Sequence, residues 1–239
     1  MVAHDSWAKV YDEVYERSFG LFYLQLTQET LQVLKEELAI GSKVIDFGAG
    51  TGRLSIPLSE LGYDVTAVDP SLEMLKILQS KDLKKRIKVQ NEFIQDFVST
   101  EQYDFALCVF SVLVYLYDED TLNKAIAVLK KCLKTNGLLL IDIPMLAAFQ
   151  SPRPYVDSKL VRKIKIDKGV NDKYFYQEYI EIKEGNKSIP YTDNFNIKYW
   201  SPEIVLNKMK KQSFIIQKDL SKRFSGSGSL YYLLKLIEK

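Results

Sequence analysis

Val44-Ile45-Asp46-Phe47-Gly48-Ala49-Gly50-Thr51-Gly52 decides how this chain is read. Three apolar residues around one acid, then glycine at every second position, predict a buried strand over Lys43 to Phe47 running into a tight turn. Glycine there takes backbone angles closed to other residues and lets a ligand approach the main chain. Arg53 to Leu61 reads as the helix that follows, with Pro57 early enough to be tolerated and Gly62 as its C-cap. The next apolar run, Val65 to Val68, ends in a second acid, Asp69. Asp46 and Asp69 are therefore expected at the carboxyl edge of a parallel sheet, where α/β folds bind small ligands.

The glycine spacing separates two readings. A dinucleotide fingerprint would need glycine at position 53, which is Arg53. An oxidoreductase and a ligand-free turn stay open, although three glycines flanked by two acids exceed what a turn requires. The G-x-G-x-G loop with its preceding acid resembles motif I of the class I S-adenosylmethionine-dependent methyltransferases. That resemblance implies an α/β, Rossmann-like, mostly parallel sheet of seven strands in the order 3-2-1-4-5-7-6, with the seventh strand antiparallel. It implies S-adenosyl-L-methionine as cofactor. The loop Gly48-Ala49-Gly50-Thr51-Gly52, with Asp46 before it, would wrap the methionine part. Asp69, followed by Pro70, would hold the ribose hydroxyls, and Met74 would pack on the adenine. Asp96 would accept from the exocyclic amine, with Phe97 beside the ring, and Phe110 would close the end of strand four near the methyl group. The stretch Ala8-Lys9-Val10-Tyr11-Asp12-Glu13-Val14-Tyr15 resembles the Y-D-x-x-Y entry segment of many small-molecule methyltransferases, where a tyrosine, here Tyr11, reaches the cofactor's carboxylate.

Four regions follow. Residues 1–40 form an N-terminal helical lid, with Trp7, Tyr11, Tyr15 and Phe19 spaced at four to give an aromatic face. Residues 41–148 form the cofactor-binding core. A third strand is expected at Ile87 to Gln90, a central fourth at Tyr103 to Phe110, a helix at Asp118 to Leu133, a turn at Asn136-Gly137 and a fifth strand at Leu138 to Ile143. Residues 149–200 carry three alternating segments, Leu160 to Ile166, Tyr174 to Ile182 and Phe195 to Tyr199. Lys168-Gly169 and Glu184-Gly185-Asn186 punctuate them as turns, and the region reads as a small antiparallel insert roofing the acceptor. Residues 201–239 return to the core with a helix from Ser201 and strands at Phe214 to Gln217 and Leu230 to Ile237. Ser225 to Ser229 between them reads as a flexible hairpin loop.

The 239 residues carry a net charge of +2, which gives no strong field for nucleic acid or a membrane surface. Leu138 to Phe149, the most apolar stretch, is broken by Asp142 and Pro144 and is too short to span a bilayer. Cys108 and Cys132 show no metal or redox spacing, and a cytoplasmic location is the default. The segment after strand four, Phe110-Ser111-Val112-Leu113, lacks the Pro-Pro-aromatic motif of amino-methylating DNA enzymes and the two-glutamate loop of protein arginine methyltransferases. A small molecule is the expected acceptor, and an amine suits it best, because no strong base is visible. His4, the single histidine, sits near the start of the chain and would reach the site only on a lid. Asp142, an acid inside an apolar strand, is the candidate proton acceptor or structural partner, and Ser111 and Tyr115 are candidates to orient the acceptor. The insert, the Ser111 to Leu116 segment and the serine-glycine loop resemble a narrower group, bacterial N-methyltransferases of nucleotide-linked amino sugars. O-methylation of a small metabolite, modification of a macromolecule and a catalytically silent cofactor-binding protein remain as alternatives, and a homodimer is left open.

Overall fold

The computed structural model describes residues 2–185 and 187–238. Seven strands build the main sheet: β1 (Lys43–Phe47), β2 (Asp64–Asp69), β3 (Lys88–Asn91), β4 (Tyr103–Cys108), β5 (Leu133–Pro144), β10 (Phe214–Asp219) and β11 (Ser229–Leu236). Their order is β10-β11-β5-β4-β1-β2-β3. The five from β3 to β5 run parallel, and β11 is antiparallel to both β5 and β10. This is the expected order, with the last two strands of the chain entering at one end.

Alternation along the central strands explains why both faces are covered. Ile45, Phe47, Ala106, Cys108, Leu139 and Ile141 point to the face packed by α5 (Glu119–Cys132) and α6 (Pro202–Lys211). Val44, Val65, Ala67, Phe105, Leu107 and Leu140 point to the other, packed by α2 (Leu21–Glu37), α3 (Ser55–Glu60) and α4 (Leu72–Lys81). Side chains set the helix starts. Ser71 Oγ caps α4 at the Met74 amide, Asp118 and Thr121 form a capping box on α5, and Ser201 caps α6 ahead of Pro202. The turn expected at Asn136-Gly137 lies within β5, which runs on from α5. Asn136 takes φ +65° there, and the pairing with β4 shifts register beside it.

The insert is a separate antiparallel sheet, ordered β6 (Tyr155–Val156), β7 (Leu160–Lys168), β8 (Lys173–Glu184) and β9 (Lys187–Lys198). It is larger than the alternation predicts. The short β6 adds an edge, and β9 begins well before Phe195 although it contains Pro190. Proline is tolerated because β9 is itself an edge strand. Of the turn expected at 184–186, Asn186 lies outside the described residues. The N-terminal α1 (Tyr11–Phe19), preceded by a 3₁₀ turn at Asp5–Val10, packs against this insert through Trp7, Val14, Tyr15, Leu160, Ile180 and Ile182. Trp7 leaves helical geometry. Even so, Trp7, Tyr11, Tyr15 and Phe19 stack in succession, with ring centroids 5.2, 4.4 and 5.4 Å apart. Among the described residues no helix is long and apolar enough to cross a membrane.

Candidate active site

The carboxyl ends of β1, β2, β4 and β5 open into one cavity of about 990 Å³, walled by the glycine loop below and by the lid and insert above. Gly48 has φ +74°, and a β-carbon there would lie 2.4 Å from Val112 Cγ2, so this glycine admits the loop after β4. Gly50, at φ +54°, has nothing within 4 Å of the same position and faces open space. Its amide donates to Asp69 Oδ2 at 2.9 Å, and the Ser71 amide donates to Oδ1 at 2.8 Å. Asp69 is thus aimed by two backbone donors at the mouth of the loop. Burial raises its carboxyl, and those two hydrogen bonds oppose the rise.

Most of the residues singled out in the sequence meet on this wall: Tyr11, Asp46, Gly48, Ala49, Gly50, Thr51, Asp69, Pro70, Met74, Phe110, Ser111, Tyr115 and Asp142 all border the cavity. Three do not. Gly52 faces away, and a β-carbon there would come within 2.9 Å of Ile56 and Leu78, so its task is helix packing. Asp96 is exposed and bonded by Gln95, while Phe97 is buried edge-on against Phe47 in the core. The acid–aromatic pair at the cavity is Glu92-Phe93 instead. It directly follows β3, and the Glu92 amide donates to Asp69 O at 3.2 Å. The signal was the strand register: Asn91 pairs with Asp69, so the first residues past that point reach the same edge.

Two acids lie deeper. Asp46 accepts from Ser55 Oγ at 2.6 Å, and burial lifts its carboxyl to about 6. Asp142 is 1% exposed and accepts from the Ser111 amide at 2.9 Å. Burial lifts Asp142 likewise to about 6, opposed by hydrogen bonds from the Ser111 amide, the Ser229 side chain and the Phe110 amide. Phe110 and Ser111 both take left-handed angles, φ +68° and +69°, which cost energy in residues with side chains. Asp142 therefore clamps a strained turn at the end of β4. The serine-glycine loop contributes to that clamp through Ser229, and Ser227 borders the cavity.

Arg53 on the wall and Asp12 beside it were not singled out in the sequence. Arg53 lies over Phe110, with its guanidinium carbon 4.7 Å from the ring centroid, and donates to Thr27 Oγ1 at 3.0 Å. Asp12, beside Tyr11, accepts from Thr51 Oγ1 at 2.5 Å and from Lys81 Nζ, tying α1 to the glycine loop. His4 enters from the lid. Its ring Nε2 lies 2.9 Å from Tyr115 Oη, and its backbone amide donates to Asp193 of β9. Burial, aided by Arg162, lowers the imidazole to about 3, so it is neutral. Arg162, on β7, pairs with Glu178 of β8 at 2.6 Å, both buried. The sequence signals nothing here, because these partners come together only through the insert.

The fold is Rossmann-like, with its cavity at the carboxyl edge of the sheet. Residues 44–137 match the family model described as a methyltransferase domain. A glycine/sarcosine N-methyltransferase of Aphanothece halophytica is 34% identical over 116 residues, 47% of this chain and 43% of that protein. The chain spans about half the length of the curated relatives it matches. An S-adenosylmethionine-dependent methyltransferase from Clostridium acetobutylicum superposes with a TM-score of 0.82 at 17% identity, over 95% of this chain and 97% of that one. The sugar N-methyltransferase of a Streptoalloteichus species does so with a TM-score of 0.78 at 16% identity, over 95% and 93%. Over residues 44–137 the chain is thus similar to methyltransferase domains, and its fold is that of the S-adenosylmethionine-dependent methyltransferase from Clostridium acetobutylicum.

Proposed function

We propose that this protein transfers a methyl group from S-adenosyl-L-methionine to a small-molecule amine held under the insert. The observation that carries this reading is the continuity of the cavity. One space runs from Gly50 and Asp69 to an upper chamber bordered by Tyr115, Tyr176, Asn194, Phe195 and Asn196. The residues fit the cofactor: Gly50 leaves room against the backbone, Asp69 offers a carboxylate already oriented, and Arg53 offers a cation for a carboxylate. When bound, the sulfonium supplies an electrophilic methyl carbon. The chain then has to align the acceptor lone pair with the sulfur–methyl bond and exclude water. Asp142 serves this by fixing the Phe110-Ser111 turn between cofactor and acceptor.

The upper chamber is roofed and aromatic, which supports a small acceptor over a macromolecule. Resemblance to sugar N-methyltransferases, together with Asn194 and Asn196 as neutral hydrogen-bonding groups, supports an amino sugar. The test is calorimetry with S-adenosylmethionine, followed by methyl-labelled cofactor offered to pools of amines, phenols and carboxylic acids. Binding with label in a small amine supports the reading. Absent binding rejects the methyltransferase assignment, and label confined to phenols or acids rejects the amine.

A further inference from the structure

Above the cavity an imidazole and a carboxylate each leave one buried polar atom without a partner. Glu178 Oε2 and His4 Nδ1 are buried and have no hydrogen-bond partner. They lie 3.8 Å apart, and Asp193 Oδ2 lies 3.9 Å from the same nitrogen. Glu178 uses its other oxygen on Arg162, at 2.6 Å. His4 is held in place at some cost. Its backbone is left-handed at φ +65°, its amide is bound by Asp193, and its ring contacts Trp7 and Phe195 edge-on at 5.0 and 5.1 Å.

Two carboxylate oxygens near one ring nitrogen decide where the proton of a neutral imidazole resides. Carboxylates only accept, so Nδ1 carries the hydrogen and Nε2 keeps its lone pair. Tyr115 Oη, 2.9 Å from Nε2, must then donate its own hydrogen to His4. What remains on Tyr115 Oη is lone-pair density, and Tyr115 borders the cavity. We infer that Glu178, His4 and Tyr115 form a polarity relay that turns the Tyr115 oxygen into an obligate hydrogen-bond acceptor, so that the site selects an amine with at least one N–H. This deepens the reading proposed above and rests on it. Tyr115 would touch the acceptor, and His4 is a positioning residue acting through it. An N–H donated to Tyr115 also fixes the direction of the nitrogen lone pair. A tertiary amine has nothing to donate to that oxygen and should be turned over about tenfold less well, or worse, than its secondary counterpart.

The single histidine makes the test direct. Nitrogen NMR on ¹⁵N-histidine-labelled full-length protein, at neutral pH with and without S-adenosylmethionine, reads the tautomer of His4. The expected spectrum is a neutral ring protonated at Nδ1, with an Nε2 signal displaced by an accepted hydrogen bond. Tyr115→Phe should move that Nε2 signal to the position of a free ring nitrogen. Thermal melting within about 3 °C of the parent shows the variant folded, a shift worth less than about 1 kcal/mol. A ring protonated at Nε2 would make the pair a simple latch and overturn the inference. So would a signal unmoved by Tyr115→Phe in a folded protein, or label recovered in a quaternary ammonium product. None of the spectra depends on turnover, so this inference can fail while methyl transfer stands, and the reverse.

Discussion

Asp69 reaches back across the sheet edge to the glycine loop, its Oδ2 accepting the Gly50 amide at 2.9 Å. The acid that ends β2 thus holds the turn that ends β1. The Ser71 amide completes the arrangement by occupying Oδ1. Asp69→Ala should lower cofactor affinity at least tenfold, about 1.4 kcal/mol or more, by calorimetry. Unchanged affinity would remove Asp69 from the ribose site.

Gly48 and Gly50 differ in what a methyl group would meet, so alanine should separate folding from binding. Gly48→Ala drives a carbon into Val112 and should destabilise the protein by about 1–3 kcal/mol, read as a fall in melting temperature. Gly50→Ala enters open cavity and should cost only about 1 kcal/mol of backbone strain, yet abolish measurable cofactor binding. Equal stability losses for the two would contradict the assignment of Gly50 to the ligand wall.

Arg53 is assigned to the cofactor's carboxylate because its guanidinium borders the cavity over Phe110. Wild-type protein should prefer S-adenosylmethionine to its decarboxylated form by about tenfold or more, the scale of a charge-assisted hydrogen bond. Arg53→Gln should erase that preference while leaving the affinity for the decarboxylated form close to the parent value. A preference that survives in competition titrations would point to another cation.

Asp46 and Asp142 give the fold a definite pH dependence. Burial lifts both from an ordinary 3.8 to about 6. Their folded forms bind protons more readily than the unfolded chain, so the stability they allow is fullest in acid. It is lost as pH rises from about 4 through about 6. Between pH 5 and pH 7 each should remove roughly 1 kcal/mol. Denaturant titrations at the two pH values should show this loss, and Asp46→Asn should flatten it. An unchanged slope in that variant would mean Asp46 titrates normally.

Asp142→Asn should act on turnover. The amide keeps the shape of the clamp on Ser111 but replaces one acceptor oxygen by a donor facing the Phe110 and Ser111 amides. A fall in kcat of about tenfold or more with nearly intact cofactor affinity is expected. Normal kinetics at every pH would exclude Asp142 from the acceptor side.

The glycine-loop wall of the cavity was legible because it is written in backbone requirements a few residues long. Glycines at 48 and 50 and an acid closing β2 carry their geometry with them. Asp96 was misplaced because the acid–aromatic pattern occurs twice, at 92–93 and at 96–97, and only the end of β3 tells which reaches the edge. The upper chamber was not legible in its chemistry. Alternation marked the insert as strands, but the pairing of Arg162 with Glu178 depends on β-sheet register. His4 depends on Asp193, 189 residues later. Nothing local distinguishes such residues from ordinary surface charges.

That separation has a consequence for how the molecule is made. The first described residues are held by Ser71 through Asp5, and by Asp193 and Thr192 through His4 and Ser6. A chain leaves the ribosome from its amino end, so this strap emerges before β9 and waits undocked until that strand is made. Its apolar rings, Trp7 foremost, stay exposed until the partner sheet exists. The chamber is complete only once translation has passed β11, which supplies Ser229 and Tyr231 to its wall.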